Sequence, residues 1–153
     1  MQKCAPKKRQ INATELRNSP GEVVQNNKLK YRKQNKLMYQ NGDIGVIPQE
    51  IKDKLNGREF NNFDELRSAL WEEIGQSKYA NEFIKSGQTL MKDGNAPHAP
   101  KSGKYGKMSS YILHHKQPIA KGGGVYDLDN ILIVSPKMHQ QILDAQYHFG
   151  KKG

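Results

Sequence analysis

The stretch YILHHKQPIAKGGGVYDLDNILIVSPKMH, residues 111–139, decides the fold of this chain. Within 26 positions it holds His114, His115 and His139. Between them lie Pro118, the Gly122-Gly123-Gly124 run and Asp127-Leu128-Asp129-Asn130. Residues 110–115 and 131–134 read as two strands separated by glycine and Asp/Asn turn signals. Pro136 suits the first turn of a helix, predicted over about residues 137–145. Strand, loop, strand and helix over about 40 residues bury too little to be stable alone. The unit must therefore pack on whatever precedes it, and a bound metal would help to staple it.

The preceding residues supply helices. Pro48 fits the first turn of a helix running to about Asn56, with Gly57 as its stop. Asn62 followed by Glu65 resembles a capping arrangement. It opens the strongest helix, where Phe63, Leu66, Leu70, Trp71 and Ile74 recur at helical spacing and Gly75 ends the run. Ser77 starts a further predicted helix with Tyr79, Phe83, Ile84, Leu90 and Met91 on its buried side and Gly94 beyond it. The aromatics are assigned to the core rather than to a ligand. Residues 95–108 read as a loop.

Farther out, residues 1–46 are rich in Asn, Gln and Lys and show weak periodicity, with a turn at Asn41-Gly42-Asp43. They are predicted to be a basic, flexible N-terminal arm on a domain covering 47–153, divided into a helical part (47–94) and the strand–strand–helix unit (109–150). Ten of the Lys/Arg residues and two Glu fall in residues 1–41, so +8 of the net charge of +10 sits there. Such an arm suits counter-ion-releasing contact with phosphates, although anionic lipid attracts the same charge. The single cysteine, Cys4, excludes an intrachain disulfide framework. No apolar run approaches the roughly 18 residues of a membrane span, and no cleavable signal is predicted. There is no internal repeat.

The histidines point to phosphodiester chemistry. Hydrolysis needs an activated water, a cation against the developing charge and relief for the leaving oxygen. Neutral imidazole serves the first, because its pKa lies near the operating pH, and it also binds divalent metals. Neighbours on a regular strand face opposite ways. His114 and His115 can therefore share one site only if the strand ends or bends there, as Lys116-Gln117-Pro118 suggests. The bland alternative is one buried and one surface histidine.

Three blocks of sequence favour the active reading: Tyr111–Ile119, Gly123–Ile131 and Ser135–His139. Together they resemble the HNH nuclease domain of the colicin and S-type pyocin DNases. Ile47-Pro48, Asp53-Lys54-Leu55, Glu59-Phe60, Phe63-Asp64 and Trp71-Glu72-Glu73 match the helical part of that family, so the resemblance covers about residues 45–142. It implies an α+β fold, a helical subdomain packed on a C-terminal ββα-metal (HNH, His-Me finger) motif. It also implies roles: His115 as the general base, His114 and His139 as metal ligands, and Asn130 as the residue that holds the first strand and orients the base. Asp127 and Asp129 are assigned to the turn. The glycine run is not a phosphate loop, since it lacks the lysine and helix of that motif.

Three positions depart from the family pattern. Leu143 stands where a third ligand histidine is common, Ile112 where a glutamate is, and Met108 where an arginine is. The site is then either impaired or built differently. On the second reading, which is adopted here, His148 is the candidate third ligand. It reaches the metal only if the helix ends near Asp144, because nine residues on an unbroken helix is about half a rotation. Without it, His114 and His139 suit a weakly held cation completed by waters and a phosphate oxygen. Lys107 and Lys116 are candidate DNA contacts in place of the arginine.

The expectation is a metal-dependent DNA endonuclease of low sequence specificity, the cytotoxic domain of a bacteriocin or interbacterial toxin. One divalent ion is implied, with Zn, Ni, Mg and Mn not distinguished. A small acidic immunity protein is expected near residues 78–108, on an otherwise monomeric chain. Release without a cleavable signal and action in the target-cell cytoplasm follow. The chain would be an isolated toxic module or a piece of a longer toxin. The alternatives are a non-catalytic nuclease-fold binder of DNA or an immunity protein, an HNH nuclease of genome defence or mobility and, more weakly, an RNase.

Overall fold

The structure is a computed structural model. It describes residues 12–24 and 36–152, with side chains through residue 145. Asn12 begins helix α1 (Ala13–Arg17) by accepting the Glu15 N–H at 3.1 Å. Short strands follow, β1 (Gly21–Glu22), β2 (Met38–Tyr39) and β3 (Ile44–Val46), then α2 (Gln49–Leu55), β4 (Glu59–Phe60) and α3 (Phe63–Gly75). Next come α4 (Lys85–Lys92), β5 (Ile112–His115), β6 (Ile131–Val134) and α5 (Pro136–Lys152). Strands β2, β3, β6 and β5 form one antiparallel sheet in that order, and β1 pairs with β4.

Helix α3 forms as its sequence dictates. The Asn62 side chain accepts the Glu65 N–H at 3.0 Å, which satisfies one orphan donor of the first turn. Phe63, Leu66, Leu70, Trp71 and Ile74 are all buried. They meet Ile51 and Leu55 of α2, Met91 of α4 and Ile133 of β6 in one core cluster. The helical part and the strand–strand–helix unit therefore share a single core, as the small size of the latter requires.

The boundary expected at residue 46 is corrected by this core. Residues 12–24 and 36–46 are built into the fold, and no arm extends through them. Val23 and Leu37 are fully buried. Ile44-Gly45-Val46 pairs with Val134-Ile133-Leu132. Glu82 accepts from the backbone N–H groups of Leu37 and Met38 at 2.7 and 2.8 Å. Val24 bridges Asp127, and the Tyr126 hydroxyl donates to Ser19 O at 2.7 Å. Strands of two or three residues carry too little alternation to be recognised, and pairing with distant partners is what makes them strands. Residues 1–11 and 25–35 lie outside the described residues, as do those parts of the expected arm.

Two other expectations change. The helix expected after Ser77 is broken. A 3-10 turn at Lys78–Glu82 ends at Phe83, α4 starts only at Lys85, and Ile84 between them is exposed. Strand β5 starts at Ile112, because Ser110 pairs instead with His98.

Candidate active site

The site forms where β5 stops. His114 and His115 pair with Leu132 and Ile131 of β6, and beyond them the chain turns away at Lys116. The two rings take different sides. His114 meets His139 of α5, with ring centres 5.4 Å apart and planes at 68°. His115 packs on Phe63 of α3 with ring centres 5.0 Å apart, and its Nε2–H donates to the Val125 carbonyl at 3.1 Å. A carbonyl only accepts, so this bond puts the proton on Nε2 and leaves the Nδ1 lone pair as the basic atom.

All three imidazoles are held below their ordinary pKa. Burial is the main cause at His114, joined by the charges of His139 and His115. At His115 burial dominates, the Val125 hydrogen bond opposes it, and the Arg17 charge adds to it. Burial alone acts on His139. Each ring is thus biased toward the neutral form that a base or a metal ligand must have.

Asn130 locks the end of the strand. Its Oδ1 accepts from Gln117 N at 2.8 Å, and its Nδ2 donates to Gln117 O at 3.1 Å and Gly124 O at 3.3 Å. The loop closes so tightly that a Cβ on Gly123 would stand 1.9 Å from Gln117 O, which explains glycine there without any phosphate role. Asp127 accepts from Asp129 N at 3.0 Å in the turn, while Asp129 forms a largely buried ion pair of 2.7 Å with Lys52 of α2.

Helix α5 is fixed at its start. Ser135 is fully buried; its hydroxyl donates to Asp43 at 2.8 Å and accepts the Met138 N–H at 3.1 Å. Asp43 arrives from a turn in which Gln40 and Asn41 both have positive φ. One helical turn after Ser135, His139 is presented to His114.

His114 and His139 suit a divalent ion. Imidazoles sharing an ion at ~2.0–2.1 Å from each nitrogen have ring centres roughly 5–6 Å apart, and both rings are biased neutral. Among the described residues no group of three or more His, Cys, Asp or Glu side chains converges on a cation position. The helix end near Asp144 that the His148 reading required is not observed. Helix α5 continues unbroken to Lys152, so position 148 lies about half a rotation from His139; its side chain is outside the described ones. Leu143, one turn beyond His139, is exposed.

The domain model described as "Colicin/Pyocin-S2, DNase domain" matches residues 18–145. The chain belongs to this DNase family. It is 36% identical over 138 residues to colicin-E7 of Escherichia coli, covering 88% of this chain and 23% of that protein. To colicin-E8 of Escherichia coli it is 40% identical over 101 residues, 65% of this chain and 49% of that protein. To pyocin-S2 of Pseudomonas aeruginosa it is 35% identical over 102 residues, 66% and 15% respectively. The chain thus spans less than half the length of these relatives. Among solved structures, a pyocin AP41 DNase–immunity complex matches with a TM-score of 0.72 at 29% identity, over 83% of this chain and 99% of that one. A mutant nuclease domain of pyocin S8 with its cognate immunity protein matches with a TM-score of 0.67 at 31% identity, over 80% and 98%. The α+β fold is shared with these DNase domains, and DNases of this family depend on a metal.

Sequence reasoning about this DNase domain missed Arg17. Its guanidinium lies 5.0 Å from the Phe63 ring centre, on the aromatic side chain that supports His115. Asn12 followed by Glu15 was a readable capping signal for the helix that carries it. Of the expected DNA contacts, Lys107 lines a cleft beside His139, whereas Lys116 is exposed just past His115 and does not line that cleft.

Proposed function

We propose that this chain is a metal-dependent DNA endonuclease of low sequence specificity, the cytotoxic domain of a bacteriocin. The observation that carries the reading is the division at the end of β5: His114 meets His139 on one side, and His115 is held as an Nδ1 base on the other. His114 and His139 are the metal ligands. The bound ion would polarise the phosphoryl group and offset charge on the leaving oxygen. His115 Nδ1 takes the proton of the attacking water. Arg17 places its charge toward the phosphate, and Asn130 keeps Gln117 and the strand end in place. Low specificity is supported by the lack, among the described residues, of a helix or finger arranged to read base edges.

Supercoiled plasmid, incubated with chelator-stripped protein and then Mg, Mn, Ni or Zn, tests the reading. Nicking that depends on one of these metals is expected. No cleavage with any metal leaves a nuclease-fold binder, the rival that Leu143, Ile112 and Met108 motivate.

The solved neighbours carry immunity proteins, which supports an immunity protein as the partner; we infer that it is small and acidic, docks near residues 78–108 and protects the producing cell, and that the DNase acts on DNA in the target-cell cytoplasm. That segment holds six lysines against Glu82 and Asp93. It also exposes Ile84 (70%), Tyr105 (48%) and Met108 (53%). Ile84→Asp should weaken the complex at least tenfold if Ile84 is an anchor, measured by titration calorimetry with the acidic protein encoded beside the toxin gene.

A further inference from the structure

A cleft of about 920 Å³ opens beside the proposed catalytic histidines. It shares His139, Ile112 and Leu113 with them and is lined farther on by Arg67, His98 and Lys107. Among the described residues no carboxylate lines it, although Asp64 pairs with Arg67 at 2.9 Å on the exposed surface. A pair so exposed contributes little and yields readily to a stronger anion. His98 Nδ1 lies 2.8 Å from the Ser109 hydroxyl. With Ser109 donating, Nε2 carries the proton and is a donor for an acceptor in the cleft.

We propose that this cleft is a second phosphate subsite, in which Arg67, Lys107 and the His98–Ser109 pair hold the substrate backbone beyond the scissile phosphate. The inference rests on the nuclease reading. It assigns a distinct duty to residues that play no part in the chemistry. A strand whose scissile phosphate is fixed at His139 carries further charges at short, regular intervals, and the cleft continues from that histidine. An acidic protein surface offers the same charge but no reason for continuity with the catalytic end of β5.

The test is binding of the full chain to a labelled DNA duplex of about 20 base pairs, in EDTA so that nothing is cut. Fluorescence anisotropy is followed from about 50 to 200 mM salt, the range over which phosphate contacts change affinity steeply. In Arg67→Ala and Lys107→Ala the slope of log affinity against log salt should shrink by about 0.9 each, the value of one lost phosphate contact. His98→Ala should weaken binding by roughly threefold to tenfold, the value of one lost hydrogen bond. Lys54→Ala, on the exposed side of α2 and outside the cleft, should change neither quantity. Unchanged slopes in Arg67→Ala and Lys107→Ala overturn the proposal and leave the cleft's charge to a protein partner. An equal fall in Lys54→Ala assigns the effect to net charge and overturns it too. Plasmid nicking by the wild-type protein separates the two ideas: nicking with unchanged slopes defeats the subsite alone, whereas absent nicking defeats the nuclease reading whatever the slopes show.

Discussion

At the scale of single residues, one backbone hydrogen bond divides the labour at this site. Val125 O accepts the Nε2–H of His115, which leaves the Nδ1 lone pair free for the base role proposed above. Replacing His115 with alanine should lower the nicking rate by about 10²–10⁴, the usual value of a positioned general base, with the circular dichroism spectrum unchanged. Arg17 acts on the same ring through its charge, which helps hold the imidazole below its ordinary pKa. Arg17→Ala should therefore move the acidic limb of the rate–pH profile upward and slow cleavage at neutral pH, whereas a purely structural arginine would leave the limb in place. His114, His115, Asn130 and His139 stand out in the sequence as candidates, and the structure gathers them at the end of β5. Arg17 was not legible. It is recruited across 46 positions by its contact with Phe63; the Asn12–Glu15 cap marks its helix but not its role.

At the scale of elements, the start of α5 matters most. Ser135 caps the helix and binds Asp43, so the placement of His139 depends on a buried serine and on a turn more than ninety residues earlier. Ser135→Ala removes the cap and leaves the Asp43 carboxylate short of one donor. A loss of about 1–2 kcal/mol is expected, seen as a fall of roughly 3–8 °C in Tm, with weaker metal binding by calorimetry. Helices α2 and α3, strand β6 and the start of α5 could be read from periodicity and capping, since those signals are local. Strands β2 and β3 could not, because two or three residues show no pattern until β3 pairs with β6 and β2 with β3. The continuation of α5 past Asp144 also ran against expectation, since a bend there was the condition for His148 to serve as a third ligand. Leu143 offers no donor beside His114 and His139, so an ion held by those two imidazoles would take its remaining ligands from water and substrate oxygen.

For the molecule as a whole, the lowered imidazoles link stability to pH. A histidine whose folded pKa lies below its unfolded value of about 6.5 contributes its full stability above that value and loses it as pH falls through the folded pKa. His114, His115 and His139 share this sign. In EDTA, Tm should be level from about pH 8 to 7 and fall as the pH drops below about 6.5; a level or rising Tm there would show that the rings are not buried neutral. The overall α+β architecture and its two-part packing were legible because the strand–strand–helix unit is too small to stand alone. The reach of residues 12–24 into the site was not, since a basic, polar stretch looks the same whether it packs or not.

The most direct measurement is the metal-supported plasmid-nicking rate against pH for the wild-type protein and for His115→Ala. A wild-type rate that rises to a plateau with an apparent pKa below about 6.5, and a variant lower by about 10²–10⁴ with that limb gone, are the results expected. Equal rates for the two proteins, or no nicking by either with any metal, would contradict the assignment of His115 as the base of a DNase.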